Sequence, residues 1–216
     1  MMSIRKSLKQ MLGQGLIVAG EWLPQTKRGL KAWGLRTSKE WFGSRVVRAQ
    51  MPDGQNLCLA SVPDNYLSFE LFWKGTGYYE PISTLVFQEL VRPGDAFLDI
   101  GANVGFYTLV LSKAHPNLRV IAFEPNPRLQ ALLKKNVAAN RFDQVQCEAL
   151  ALSDADGTAI LYLNRSDMSA SLRADFDANL TDAVEVKTVK LDSYLNQRDL
   201  RGHLVIKVDV EGHEDS

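Results

Sequence analysis

The chain has two cysteines and three histidines in 216 residues, no net formal charge, and no long apolar run. Cys58 and Cys147 are too few for a disulfide framework and suit a reducing compartment, so a cytoplasmic location is expected. His115, His203 and His213 lack zinc-ligand spacing, and no metal centre is expected. Without an apolar stretch of about 18 residues there is no transmembrane helix to propose. The zero balance conceals a division: residues 1–50 carry ten Lys or Arg against two acids, and the remainder 15 against 23. A body that acidic argues against nucleic acid as a substrate, since a groove tracking phosphates is basic.

The charge division marks two regions, a basic extension over residues 1–43 and a domain over 44–216. In the extension, Arg5, Lys6 and Lys9 precede Met11 to Leu23, a semi-apolar stretch broken by Gly13, Gly15 and Gly20. That order suits a signal peptide, but the core is interrupted and no clean cleavage site follows. Trp22, Trp33 and Trp41 alternate with Lys27, Arg28, Lys31 and Lys39. Two readings stand: a segment lying on an anionic membrane, giving a peripheral membrane association, or a solvated extension whose tryptophans pack on the domain.

The domain is organised around Ala96-Phe97-Leu98-Asp99-Ile100-Gly101-Ala102-Asn103-Val104-Gly105-Phe106-Tyr107. A short apolar run predicts a buried strand, Gly101 to Gly105 a tight turn, and the apolar spacing from Phe106 to Lys113 a helix. This is the first half of a nucleotide-binding βαβ unit, whose glycines let backbone N–H groups approach a ligand. A dinucleotide site wants G-x-G-x-x-G; aligned on Gly101, its second and third glycines fall on Asn103 and Phe106. An NAD-dependent oxidoreductase is therefore disfavoured. The turn reads Asp-x-Gly-x-Asn-x-Gly instead, and resembles the first motif of class I S-adenosylmethionine-dependent methyltransferases. That resemblance implies that Asp99 lies near the cofactor's methionine ammonium.

Other elements follow from the same rules. Val46 to Ala49 and Leu57 to Ala60, separated by Met51-Pro52-Asp53-Gly54, predict a hairpin. Trp73 to Pro81 reads as an aromatic loop. Pro81 opens a helix with Ile82, Leu85, Val86 and Leu90 at 3–4 spacing, which would bring Tyr79 and Glu80 beside the glycine turn. Arg119 to Phe123 is a second strand ending at Glu124. An acid at that strand end, about 20 residues past the glycine turn, is placed for both ribose hydroxyls of a nucleoside. A helix from Pro127 to about Asn140 and a strand over Gln144 to Cys147 follow. Glu148 to Leu152, with Ala149 among them, sit where an adenine ring could be sandwiched. Thr158 to Leu163 and Val184 to Val189 alternate as strands, joined by a polar loop holding Ser166, Ser169 and Ser171; Leu191 to Leu195 is a helical turn. His203 to Val210 is a buried strand, followed by Glu211-Gly212-His213-Glu214.

Phe97 to Gly105, Phe123-Glu124-Pro125, Leu191-Asp192-Ser193-Tyr194 and Ile206-Lys207-Val208-Asp209-Val210-Glu211-Gly212-His213-Glu214 together resemble an FkbM family methyltransferase, and Tyr79-Glu80-Pro81 resembles the segment ahead of that family's first motif. The resemblance covers roughly residues 45–216. It implies an α/β, Rossmann-like class I methyltransferase sheet, here with an N-terminal hairpin. It also implies methyl transfer from S-adenosyl-L-methionine to a hydroxyl of a sugar or natural product. A class I domain carries about seven strands, so the resemblance also implies a domain whose C-terminal strands are missing, with an inactive cofactor-binding remnant or subunit as the alternative.

The candidate cofactor residues are Glu80, Asp99, Gly101, Asn103, Gly105, Glu124 and Ala149. The candidate catalytic residues are Asp209, Glu211 and His213, at the carboxyl end of the last strand, where open α/β sheets hold their ligands. An alkyl hydroxyl is a poor nucleophile until its proton is drawn off, so Asp209 or Glu211 is the expected acceptor-orienting base, with His213 behind them. Strand alternation puts Lys207, Asp209 and Glu211 on one side, and Lys207 is read as an ion-pair partner within the strand layer.

Overall fold

The computed structural model describes residues 46–60, 66–163, 170–171, 182–200 and 202–210. Alternating apolar residues build the first unit: β1 (Val46–Gln50) and β2 (Asn56–Ala60) pair antiparallel, with Val47, Ala49, Leu57 and Leu59 all buried. The expected hairpin is present. The region read as an aromatic loop from Trp73 is different. Helix α1 (Tyr66–Lys74) runs through position 73, and a 3-10 turn covers Thr76–Tyr78. Leu67 and Leu71, one helical turn apart, pack toward the hairpin core; the aromatic residues around them obscure that spacing in the sequence.

Helix α2 (Pro81–Leu90) begins at the predicted proline, but its apolar spacing faces outward. Ile82 is 78% exposed, and Leu85 and Leu90 are also exposed. The inward contact is made by Phe87, whose ring stands edge-on to Phe97 and Tyr107 at 5.5 and 5.3 Å.

Strand β3 (Ala96–Ile100) is buried along its whole length, as a central parallel strand covered on both faces must be. Helix α3 (Phe106–Ala114) is buried from Phe106 to Ser112. Strand β4 (Arg119–Phe123), helix α4 (Pro127–Asn140) and strand β5 (Val145–Glu148) repeat the unit. The side chain of Asn126 caps α4 by accepting from the Arg128 N–H at 3.0 Å, with Pro127 at the first helical position.

A second sheet is inserted before the last strand: β6 (Ala151–Leu152), β7 (Gly157–Leu163), β8 (Ala170–Ser171) and β9 (Asp182–Val189), in the order β6-β9-β7-β8. The two long strands were expected; β6, which pairs parallel with β9, was hidden in the segment after β5. Helix α5 (Leu191–Leu195) and strand β10 (Leu204–Val208) return the chain to the main sheet, whose order is β10-β3-β4-β5, all parallel; as the last strand in that order, β10 is not buried as expected, and Ile206 and Val208 are exposed.

Period-two alternation divides the sheet's two cores. Phe97, Val120 and Ala122 join α3 and the hairpin, while Leu98, Ile100, Ile121 and Phe123 meet Tyr194 of α5. The order reverses at β3, whose neighbours are β4 on one side and β10 on the other, and this is where an open α/β sheet leaves a crevice at its strand ends. Among the described residues no helix is long and apolar enough to cross a membrane.

Candidate functional site

The crevice is built by the turn after β3. Gly101 leaves the strand at φ 74°, and the N–H groups of Gly101 and Ala102 both donate to the Phe123 carbonyl, at 3.0 and 2.9 Å. Asn103 also adopts the left-handed region, at φ 53°, a conformation asparagine tolerates better than most residues. Its N–H donates to Glu124 Oε2 at 2.8 Å, while Glu124 Oε1 accepts from the Asn126 N–H at 2.9 Å. One carboxylate therefore ties the β3 turn to the start of α4.

Glu124 is almost wholly buried, and burial pushes its carboxyl up to about 7 despite those two bonds; nearby Asp99 adds to the rise and Lys207 opposes it. Asp99 is fully buried. Its Oδ2 accepts from the Thr108 N–H and hydroxyl at 3.1 and 2.7 Å, and its Oδ1 faces Lys207 Nζ at 3.4 Å. Lys207 also donates to the Gly101 carbonyl at 3.1 Å and lies 3.4 Å from Asp209 Oδ2.

A cleft opens above this turn. Its walls are apolar at Leu150, Ala151, Leu152 and Leu161, polar at Asn103 and Glu124, and charged at Lys207 and Asp209. Tyr79, Phe106 and Tyr107 line another part. The Tyr79 ring stands edge-on to Phe106 at 4.8 Å, and burial, then the neighbouring Glu80 charge, pushes its hydroxyl up to about 12. Tyr107 donates to Glu80 Oε2, and burial followed by that bond raises its hydroxyl as well. The arrangement offers an apolar end, a carboxylate at the strand end and a mixed-charge end.

The model of the Methyltransferase FkbM domain matches residues 99–214, more than half of the chain and the part that supplies most of the cleft's lining. The chain belongs to the FkbM methyltransferase family. It is 39% identical over 67 residues to 31-O-demethyl-FK506 methyltransferase FkbM of Streptomyces tacrolimicus, covering 31% of this chain and 25% of that protein. Over 157 residues it is 26% identical to 2-O-methyltransferase NoeI of Sinorhizobium fredii, covering 64% of each. Over 141 residues it is 26% identical to Methyltransferase 1 of Beauveria bassiana, covering 56% of this chain and 57% of that protein. The chain thus spans about a quarter to two thirds of these curated relatives.

Within this FkbM domain, Gly101, Asn103, Glu124 and Asp209 come together at the cleft. Asp99 lies beneath it, inside the fold. Gly105, at φ 92°, caps α3, and a Cβ there would lie 2.5 Å from Leu133 Cδ1, so its smallness serves helix packing. Glu80 is exposed and reaches the cleft through Tyr107. Ala149 is exposed, and its neighbours Leu150, Ala151 and Leu152 line the wall. Glu148 is held by Tyr194, Arg198 and Gln146 at 2.7, 2.9 and 2.6 Å. Glu211, His213, the extension over residues 1–43, Ser166 and Ser169 lie outside the described residues. Sequence reasoning missed Leu161, which reaches the cleft from the inserted sheet, and underrated Lys207. The register that sets Lys207 opposite Asp99 joins two strands distant in the chain and leaves no signal within either.

Proposed function

We propose that this chain is an S-adenosylmethionine-dependent O-methyltransferase that modifies a hydroxyl of a sugar or natural-product small molecule. The observation that carries the reading is the glycine turn cinched to Glu124 at the rim of a cleft apolar at one end and charged at the other. The residues present fit the cofactor: Leu150, Leu152 and Leu161 offer apolar surface to an adenine ring, Glu124 can accept from ribose hydroxyls, and the charged end suits a zwitterionic amino acid. Family membership supports the reaction class, and the names of the FkbM and NoeI relatives support oxygen as the acceptor atom.

Bound S-adenosylmethionine supplies an electrophilic methyl group with a neutral thioether leaving group, so no acid is needed on that side. The chain's own work is alignment and removal of water, effects worth up to about 7–11 kcal/mol in model systems. Asp209, exposed at the end of β10, accepts the acceptor hydroxyl's proton; Glu211 and His213 follow it in sequence and can assist. The enzyme acts in the cytoplasm on a small hydroxyl compound, and the basic extension is available for a membrane surface.

The test is transfer of unlabelled methyl from S-adenosylmethionine to a panel of glycosides, hydroxylated natural products and amine or carbon-nucleophile analogues, read by product mass. A hydroxyl compound gaining 14 mass units supports the reading. Transfer only to nitrogen or carbon acceptors would contradict it.

A further inference from the structure

Among the described residues, Lys207 is the one cation lining the cleft. We infer that its ammonium is the anchor for the carboxylate of the cofactor's amino-acid end, a role that rests on the cofactor reading above.

The geometry gives the reason. Lys207 is only 10% exposed, and its three N–H donors face three acceptors: the Gly101 carbonyl at 3.1 Å, Asp99 Oδ1 at 3.4 Å and Asp209 Oδ2 at 3.4 Å. The Tyr107 ring lies beside it, 5.5 Å from Nζ to the ring centroid. Two of the acceptors are fixed parts of the fold: Asp99 is fully buried and Gly101 belongs to the turn. The third is not, because the Asp209 side chain is 60% exposed. An incoming carboxylate can therefore exchange with Asp209 on the ammonium while the other two contacts persist. The exchange also frees the Asp209 carboxylate to receive an acceptor proton. Glu124 and Asp209, the other charged groups lining the cleft, would repel a carboxylate, so Lys207 alone selects for it.

The experiment is calorimetric titration of the full chain with S-adenosylhomocysteine and with S-adenosyl-3-thiopropylamine, which keeps the adenosine, sulfur and amine and lacks only the carboxylate. In Lys207→Met, S-adenosylhomocysteine affinity should fall by about 10- to 100-fold, the range for a charge-assisted bond. Affinity for the decarboxylated analogue should hold or rise. Because Lys207→Met leaves Asp99 uncompensated, Asp99→Asn/Lys207→Met is titrated in parallel and should show the same split. Equal loss of both ligands in the double variant, or no loss of either, would overturn the assignment. Failure of the unsubstituted chain to bind either ligand would instead overturn the cofactor reading, and this assignment with it.

Discussion

A Cβ added to Gly101 would lie 1.9 Å from the carbonyl oxygen of Asp209, so the turn after β3 and the end of β10 pack backbone against backbone. Gly101 also sits at φ 74°. Gly101→Ala should lose about 1–2 kcal/mol from the left-handed conformation alone, with the clash adding to it. The denaturation midpoint should drop, and S-adenosylhomocysteine binding should be lost with it; an unchanged midpoint would contradict the close packing.

Glu124 makes stability and binding depend on pH in opposite directions. Its folded value, about 7, lies above the ordinary 4.5, so between those values the folded chain holds a proton that the unfolded chain has released. Stability should therefore fall as pH rises from about 4.5 to 7, by an order of about 3 kcal/mol, and level off above. Glu124→Gln should flatten that segment of a urea-midpoint profile. Ribose hydroxyls need the ionised form, so affinity for S-adenosylhomocysteine should climb as pH passes 7 in the unsubstituted chain and stay low and flat in the variant.

Asn136 joins the hairpin to the glycine turn. Its Oδ1 accepts from the Ala60 N–H at 2.5 Å and its Nδ2 donates to the Val104 carbonyl at 2.7 Å. Asn140 does the same for Cys58, whose N–H and carbonyl it meets at 2.8 and 2.7 Å. Asn136→Ala strands two backbone groups and should cost about 2–4 kcal/mol. Hydrogen exchange at the Ala60 amide should accelerate in the native state.

Asp99 and Asp209 should separate cleanly. Asp99→Ala takes from Thr108 its side-chain partner and from Lys207 its buried counter-ion, and should cost about 3–5 kcal/mol, read in urea, so its ligand loss follows from the weakened fold. Asp209→Asn, on an exposed side chain, should keep the midpoint, and cofactor affinity should hold or rise, since a carboxylate that competes for the Lys207 ammonium is removed. It should lower methyl transfer to the identified acceptor by about 10²–10⁴-fold. A variant that transfers methyl at full rate would remove Asp209 from the reaction.

The frame of this fold was legible because its signals are local. The glycine turn, the acid at Glu124 and the Asn126-Pro127 helix start each announce themselves within a few residues. Tertiary facts were not legible. The apolar spacing from Ile82 to Leu90 predicts a helix correctly but gives no sign that the chain turns Phe87 inward and leaves Ile82 in water. The aromatic density around Phe72 concealed α1. Leu161 reaches the cleft only because an inserted sheet pairs β7 with β9, and alternation within one strand cannot reveal where that sheet docks. Lys207 read as a routine ion-pair residue until the β10–β3 register set it opposite Asp99.

The most direct test of the central claim is calorimetric titration of the full chain with S-adenosylhomocysteine beside NADH. Saturable binding of one equivalent of S-adenosylhomocysteine, weakened in Glu124→Gln, is expected, with no binding of NADH. Binding of NADH in preference, or a folded chain that binds neither, would contradict that claim.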